Sequence, residues 1–278
     1  MKYTNKHNLP ERVLRVIRGN FKEPKRPDIN RMSVTDLIKE ALIRTLYIEK
    51  WDDIVVDYSD FLKSTQGNAL HDRYEIFADD DDEAEVKLED EFPGITLVGK
   101  ADNKIDDYIL DVKQTKVYGP QYKLDEWTKQ GNIYVWQRRK RGEEVNRILI
   151  DVWYRDFDDR HTNYKGYPKC GMEVIELPVW SFEEQQQYIE DQLHYHAMNA
   201  HTECSDEQKG IRWEVYKNTN KTPSKVEQTK EACEKWIKKE QANPKNSKNK
   251  YKVVKSEAKF CNYCKSKSVC PYYLGEKK

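Results

Sequence analysis

The chain switches between helical and strand periodicity. In MSVTDLIKEALIRTLYIEKW, Leu37, Ile38, Ala41, Leu42, Thr45 and Leu46 follow three- and four-residue spacing, and Ser33 or Thr35 stands where a helix starting near Asp36 needs a cap. A second helix is predicted to begin near Gln66, in TQGNALHDRYEIF. The acidic residues Asp79, Asp80, Asp81, Asp82 and Glu83 follow and read as a solvated loop. From Glu85 the period changes, and VKLEDEF, ITLVGKAD and YILDVKQT read as three strands. DEWTKQGNIYVWQRRKRG reads as a helix despite Gly131, which costs about 1 kcal/mol relative to alanine in a helix interior. RILIDVWYRDF and VIELPVW are predicted strands, and FEEQQQYIEDQLHYHAMNA a long helix. The tail offers a strand WEVYKN, a helix KVEQTKEACEKWIKKE, a Lys/Asn-rich loop PKNSKNK and a strand YKVVKS. Helices, three strands, a helix, two strands and a helix make a mixed α/β core.

Composition narrows the class. The 278 residues carry 49 basic and 49 acidic side chains; 37% are apolar, and 18 Tyr and 7 Trp add buriable area. No apolar run is long enough for a spanning helix, and MKYTNKHNLPERV lacks the apolar centre of a signal peptide. A folded, cytoplasmic protein is expected. The charge is uneven. From Ser205 to Lys278 there are 19 Lys/Arg against 9 Asp/Glu, a surplus that suits either a polyanion or a solvated lysine surface. In a chain expected to be cytoplasmic, the six cysteines are unlike a disulfide framework. Cys261, Cys264 and Cys270 form C-x2-C-x5-C followed by proline, three thiolates that need a fourth ligand.

The most informative stretch is ITLVGKADNKIDDYILDVKQTK. With Asp106–Asp107 as a hairpin tip, paired positions sum to 213, so Asp102 faces Asp111 with Cβ atoms about 5 Å apart. Two carboxylates that close repel unless a cation lies between them or one takes a proton. Lys113 falls on the same face as Asp111, and the carbonyl of Val112 can aim at a shared metal. Hard oxygen ligands suit Mg²⁺ or Mn²⁺, and such a metal beside a lysine suits phosphodiester hydrolysis. An exposed Asp–Lys surface pair is the plain alternative, and Asp–Asp is not a favoured two-residue turn.

GKADNKIDDYILDVK resembles the motif of the PD-(D/E)XK nucleases, in their RecB-type branch with the CRISPR-adaptation exonucleases and phage relatives. It supplies Asp102, Asp111 and Lys113, with Ala101 where the family name has proline. GNALH is similar to the branch's upstream helical histidine, which makes His71 a metal ligand by resemblance; by itself His71 reads as an ordinary helix histidine. KQGNIY is similar to its Q-x-x-x-Y helix, with Gln130 and Tyr134 one turn apart, while Trp127 is expected to pack on the sheet. Some members close a [4Fe–4S] cluster with a C-x2-C-x5-C tail. That implies Cys261, Cys264 and Cys270 as ligands. The exonucleases place the first ligand before the core, yet residues 1–169 hold no cysteine. ECSDEQKGIRWEVYKN resembles the tail segment of phage relatives, which selects Cys204 over Cys170 and over Cys233 in its amphipathic helix. Zinc at the same thiolates is the alternative.

The resemblance implies a restriction-endonuclease-like core, a mixed central sheet flanked by helices, over residues 67–200. N-terminal helices would occupy 1–66 and a small cysteine-cluster unit 201–278. It implies a Mg²⁺- or Mn²⁺-dependent deoxyribonuclease acting on DNA that is single-stranded or has free ends, with His71, Asp102, Asp111 and the Val112 carbonyl on the metal. Lys113 would orient water, supported by Gln130 and Tyr134. The alternatives are a non-catalytic DNA-binding accessory protein of the same fold and a zinc-bearing structural module. Arg138, Arg139, Lys140 and Arg141 suit either the helix C-terminus or substrate phosphates. The tail tyrosines Tyr251, Tyr263, Tyr272 and Tyr273 suit either packing or base stacking.

Overall fold

The structure, a computed structural model, describes residues 1–19, 25–77 and 83–276. Contacts divide the chain into two compact units, Met1–Ala41 with Val55–Ala200, and Leu42–Ile54 with His201–Lys278. Residues 42–54 group with the tail and not with the rest of residues 1–66.

In chain order the elements run β1 (Lys2–Thr4), α1 (Glu11–Gly19), β2 (Arg31–Ser33), α2 (Val34–Leu37), α3 (Ala41–Glu49) and β3 (Val55–Asp57). They continue with α4 (Leu62–Ile76), β4 (Glu83–Ala84), β5 (Lys87–Phe92), β6 (Ile95–Lys100), β7 (Asn103–Ile105) and β8 (Tyr108–Thr115). Then come α5 (Leu124–Arg139), β9 (Arg147–Tyr154), β10 (Met172–Leu177) and α6 (Phe182–Met198). The last are α7 (Asp206–Lys209), β11 (Trp213–Lys217), β12 (Lys225–Glu227), α8 (Lys230–Ala242), β13 (Tyr251–Lys255) and α9 (Pro271–Glu276).

The first unit is a mixed α/β structure with several sheets flanked by helices. Its largest sheet has the order β10-β9-β8-β7-β4; β8 and β9 are parallel and the other pairs antiparallel. The central position of β8 explains its composition, since Ile109, Leu110, Asp111 and Val112 are all buried. A three-stranded sheet, β2-β6-β5, lies beside it in sequence, so the chain leaves one sheet at Lys100 and enters the other at Asn103. Helix α5 packs on β9 at Gly131. A Cβ built there would stand 2.7 Å from Ile148 Cγ2, so the glycine allows a close helix–sheet approach. Trp127 is 4% exposed and belongs to this core, as expected.

The N-terminal stretch is less helical than the periodicity predicts. Residues 1–66 include β1, β2 and β3, with β1 parallel to β3 and β2 parallel to β6. The helix predicted from Asp36 is two helices. Ser33 caps α2 at Asp36 N, but the carbonyl of Leu37 meets His196 Nε2 at 3.1 Å, and the Glu40 carboxylate accepts from Tyr195 OH. Tertiary partners from α6 take the groups that would continue the helix. Asp79–Asp82 lie outside the described residues; Glu83 is in β4 and binds Arg138.

In the second unit, β12-β11-β13 form an antiparallel sheet. Helix α8, capped by Thr229, buries Cys233 beside it, and Trp236 meets Tyr251 edge-on at 5.9 Å. The opening of the predicted 225–240 helix is instead strand β12. Ser266 Oγ donates to Ile43 O at 2.8 Å, which ties the start of α3 to the tail of the same unit.

Candidate active site

The hairpin between β7 and β8 has Ile105 opposite Tyr108, Lys104 opposite Ile109 and Asn103 opposite Leu110. Every pair sums to 213, the register read from the sequence. The turn Asp106–Asp107 closes because Asp106 takes a positive φ of 44°, a region that aspartate tolerates better than most residues. The Asp107 carbonyl accepts from Asn146 N at 2.7 Å, which anchors the tip.

Asp102 sits in the crossover between the two sheets, just before β7, and its main-chain carbonyl accepts from Glu85 N at 2.8 Å. Its Oδ2 accepts from Val112 N at 2.7 Å and lies 3.2 Å from His71 Nδ1. Across from it, Asp111 is 5% exposed. Asp111 Oδ2 lies 2.5 Å from Lys113 Nζ, and it has no hydrogen bond of good angle. Lys113 Nζ also donates to Gln130 Oε1 at 3.3 Å, and Gln130 Nε2 donates to Tyr134 OH at 2.9 Å. Hairpin, α4 and α5 therefore bring His71, Asp102, Asp111, Lys113, Gln130 and Tyr134 into one polar group. Val112 contributes through its N–H, and no contact of its carbonyl to the group is seen among the described residues. Also among the described residues, no three His, Cys, Asp or Glu side chains converge as a ready metal-holding set.

The electrostatics follow from burial. Burial pushes the Asp111 carboxyl up, Lys113 opposes this and Asp102 adds to it, so Asp111 stands above the ordinary carboxylate range. Burial acts on Asp102 too, but the His71 hydrogen bond and charge with the Val112 N–H outweigh it and hold Asp102 below that range. His71 is raised chiefly by its bond to Asp102. Burial lowers Lys113, but the charge and contact of Asp111 outweigh it and raise the ammonium. Burial and the nearby Asp111 charge keep the Tyr134 hydroxyl protonated. Two carboxylates are thus pushed in opposite directions, Asp111 beside a buried lysine and Asp102 beside a histidine, which is the pattern of a tuned pair.

One neighbouring network escaped the sequence reading. Tyr74, one turn beyond His71 on α4, donates to Asp151 Oδ2 at 2.8 Å and accepts from Trp153 Nε1 at 3.0 Å. Asp151 pairs with Val112 across β9 and β8. A tyrosine three residues after the histidine was the available signal.

Arg138 to Arg141 are committed internally. Arg138 binds Glu83 at 2.6 Å and Glu143 at 3.1 Å; Arg139 donates to the carbonyls of Val145 and Trp180. Lys140 lies 3.1 Å from buried Asp90, and Arg141 donates to Asp90 and to Glu89 O. These partners are neither the helix C-terminus nor a phosphate.

In the second unit, Cys204, Cys261 and Cys270 line one small cavity of about 20 Å³ with Leu42, Tyr272 and Tyr273. Cys264 follows one turn after Cys261, its N–H donating to Cys261 O at 3.2 Å. Cys233 is buried under α8, its thiol 3.4 Å from Trp213 O, and Cys170 is exposed before β10. Tyr263 is 75% exposed.

No protein-family profile and no curated protein matches the chain. It is similar to the crystal structure of SSO0001, at 17% identity and a TM-score of 0.45, over 68% of this chain and 85% of that one. It is also similar to a candidate exonuclease from Eubacterium rectale, at 13% identity and a TM-score of 0.32, over 54% of this chain and 56% of that one. Both are too distant for a residue's role to be carried to this chain. No helix among the described residues is long and apolar enough to cross a membrane.

Proposed function

We propose that the chain is a divalent-metal-dependent DNA nuclease of the PD-(D/E)XK type. The reading rests chiefly on the buried Asp111 carboxylate, whose Oδ2 has, among the described residues, the Lys113 ion pair but no hydrogen-bond partner, and on a second carboxylate, Asp102, opposite it. By donor type, two carboxylates, an imidazole and a main-chain carbonyl suit Mg²⁺ or Mn²⁺, and the ion would have to draw the side chains together, since they do not converge without it. His71, Asp102, Asp111 and the Val112 carbonyl would hold the ion. When bound, it supplies Lewis acidity to a phosphoryl oxygen and lowers the pKa of a water.

The chain's own groups divide the remaining work. Lys113, drawn by Gln130 as well as by Asp111, holds a positive charge where the phosphate gains negative charge and orients the attacking water. Tyr134 accepts from the Gln130 amide and so fixes which end of that amide faces Lys113. His71 orients Asp102 through its 3.2 Å contact.

A [4Fe–4S] cluster on Cys204, Cys261, Cys264 and Cys270 is the reading that the thiolate donors and the C-x2-C-x5-C spacing support, with Cys204, Cys261 and Cys270 lining one cavity. Zinc on the same four thiolates is the second reading. Iron, sulfide and zinc analysis of anaerobically purified protein separates the two.

The test of function is cleavage of end-labelled single- and double-stranded DNA, and of a closed circle, with Mg²⁺ or Mn²⁺. Wild type is expected to cut and Asp111→Ala to be inert. Equal inertness of both, with DNA still bound, would overturn the nuclease reading in favour of an accessory binding protein.

A further inference from the structure

The second unit carries a surplus of lysines, and the structure gathers six of them on one exposed stretch: Lys235, Lys238 and Lys239 on α8, then Lys245, Lys248 and Lys250 in the loop to β13. All six are exposed, and among the described residues none stands in an ion pair. Lys235, Lys238 and Lys239 fall within one helix stripe by their three- and four-residue spacing. The carboxylates of the helix are elsewhere employed or at its start. Glu234 pairs with Lys230 at 3.8 Å, Glu240 accepts from Asn246 Nδ2 at 2.8 Å, and Glu231 lies in the first turn.

The loop lysines stand on a built frame. Asn246 Oδ1 accepts from Lys217 Nζ at 3.0 Å and from Asn249 Nδ2 at 3.1 Å. Asn249 Oδ1 accepts from Asn218 Nδ2 at 3.0 Å, and Asn218 exchanges bonds with Lys250 N and O at 2.9 and 2.7 Å. Asn218 takes a φ of 55° to do so. Asparagine side chains thus satisfy the loop's polar groups, while the lysine side chains between them are left to solvent. The helix C-terminus accounts for cations in its last turn. It does not account for Lys245, Lys248 and Lys250, which lie beyond it.

We propose that this lysine stretch is a docking surface for the phosphate backbone of DNA. Trp236 and Tyr251 meet each other edge-on and are half-buried, and among the described residues no exposed large apolar side chain lies between residues 230 and 255. Protein interfaces are depleted in lysine and centre on buried apolar or aromatic anchors, whereas backbone recognition needs only distributed positive charge. The choice of DNA among polyanions rests on the nuclease reading. The surface itself needs no catalysis.

The experiment measures binding of the full-length protein to fluorescein-labelled duplex DNA by anisotropy, without added divalent metal, from 50 to 200 mM salt. Wild type is compared with K235Q/K238Q/K239Q and K245Q/K248Q/K250Q, and with Asn246→Ala, which removes the frame but no charge. Each triple variant is expected to reduce the slope of log K against log salt by about 2 to 3 and to weaken binding at least tenfold at 50 mM salt. Asn246→Ala should weaken binding with a smaller change of slope. Circular dichroism melts of the triple variants should match wild type, because the lysines touch solvent. Unchanged slopes and affinities would overturn the proposal. So would a wild type that binds polyglutamate of matched charge as tightly as DNA, the outcome expected of an acidic protein partner. Because no cleavage is read, a catalytically inert chain with an intact slope fails the nuclease reading and not this one.

Discussion

Lys113→Met separates the two tasks assigned to the lysine. In the wild type the ammonium lies 2.5 Å from Asp111 Oδ2, an oxygen with no other partner among the described residues, and the Asp111 residue is 5% exposed. Methionine keeps the aliphatic stem and removes the charge, which leaves a buried carboxylate facing Asp102. Removing one member of a buried pair costs about 3–5 kcal/mol. The Lys113 side chain is 23% exposed and Asp111 can gain a proton, so about 2–4 kcal/mol is expected here. For a unit of this size that lowers the melting temperature by roughly 5–15 °C. Divalent metal should then reverse the effect. In wild type an incoming ion competes with Lys113 for Asp111, whereas in the variant it meets an unpaired carboxylate. Added Mn²⁺ at about 100 times its dissociation constant would restore about 2.7 kcal/mol. The assay is calorimetry at pH 8 with and without Mn²⁺, beside DNA cleavage. A variant that melts like wild type without metal, or that gains no more from Mn²⁺ than wild type does, would refute the reasoning. Stability regained with cleavage lost is the expected pattern.

Three further outcomes follow from other parts of the molecule. Asp57 accepts from Thr4 Oγ1, Lys6 N and Ser59 N; these bonds outweigh burial and hold its carboxyl well below the usual range. Its stabilisation is present above the ordinary carboxylate pKa and lost as pH falls through the lowered value, so Asp57→Asn should cost about 1–3 kcal/mol at pH 7 and flatten acid unfolding between pH 4 and 2 in urea titrations. Gly131→Ala would gain about 1 kcal/mol on an open helix, but the 2.7 Å approach to Ile148 makes it a loss of about 0–2 kcal/mol net, and a raised melting point would contradict the packing account. Cys261→Ala should lose the bound iron or zinc and destabilise the second unit, while Cys233→Ala, outside the cavity lining, should keep its metal content by elemental analysis.

The parts of the fold legible in the sequence were those set by local rules. The β7–β8 register follows from side-chain alternation and a two-residue tip, and it sets Asp102 near Asp111 without any long-range information. The parts that were not legible depend on distant partners. Nothing near Leu37 announces that His196 will take its carbonyl and end the helix. Nothing in QRRKRG says that the acceptors include Asp90, Glu83, Val145 O and Trp180 O, more than forty positions away in three cases and close by in one. The uninterrupted reading of ITLVGKADNKI hid a change of sheet at residues 101–102, because both sheets reward the same alternation. The Tyr74–Asp151–Trp153 network needs α4 laid against β9, a tertiary fact.

The second compact unit is made from two pieces of chain, residues 42–54 and residues from 201 onwards, with the 55–200 stretch between them. That arrangement has a consequence during synthesis. At about 5–20 residues per second, the ribosome takes roughly ten to thirty seconds to pass from the first piece to the second. Throughout that interval Leu46, Trp51 and Ile54, all buried in the finished protein, wait without the segment that completes their unit. The intervening α/β unit can fold first, and the early apolar piece is then a natural client for a chaperone, recaptured only when the lysine- and cysteine-bearing tail emerges.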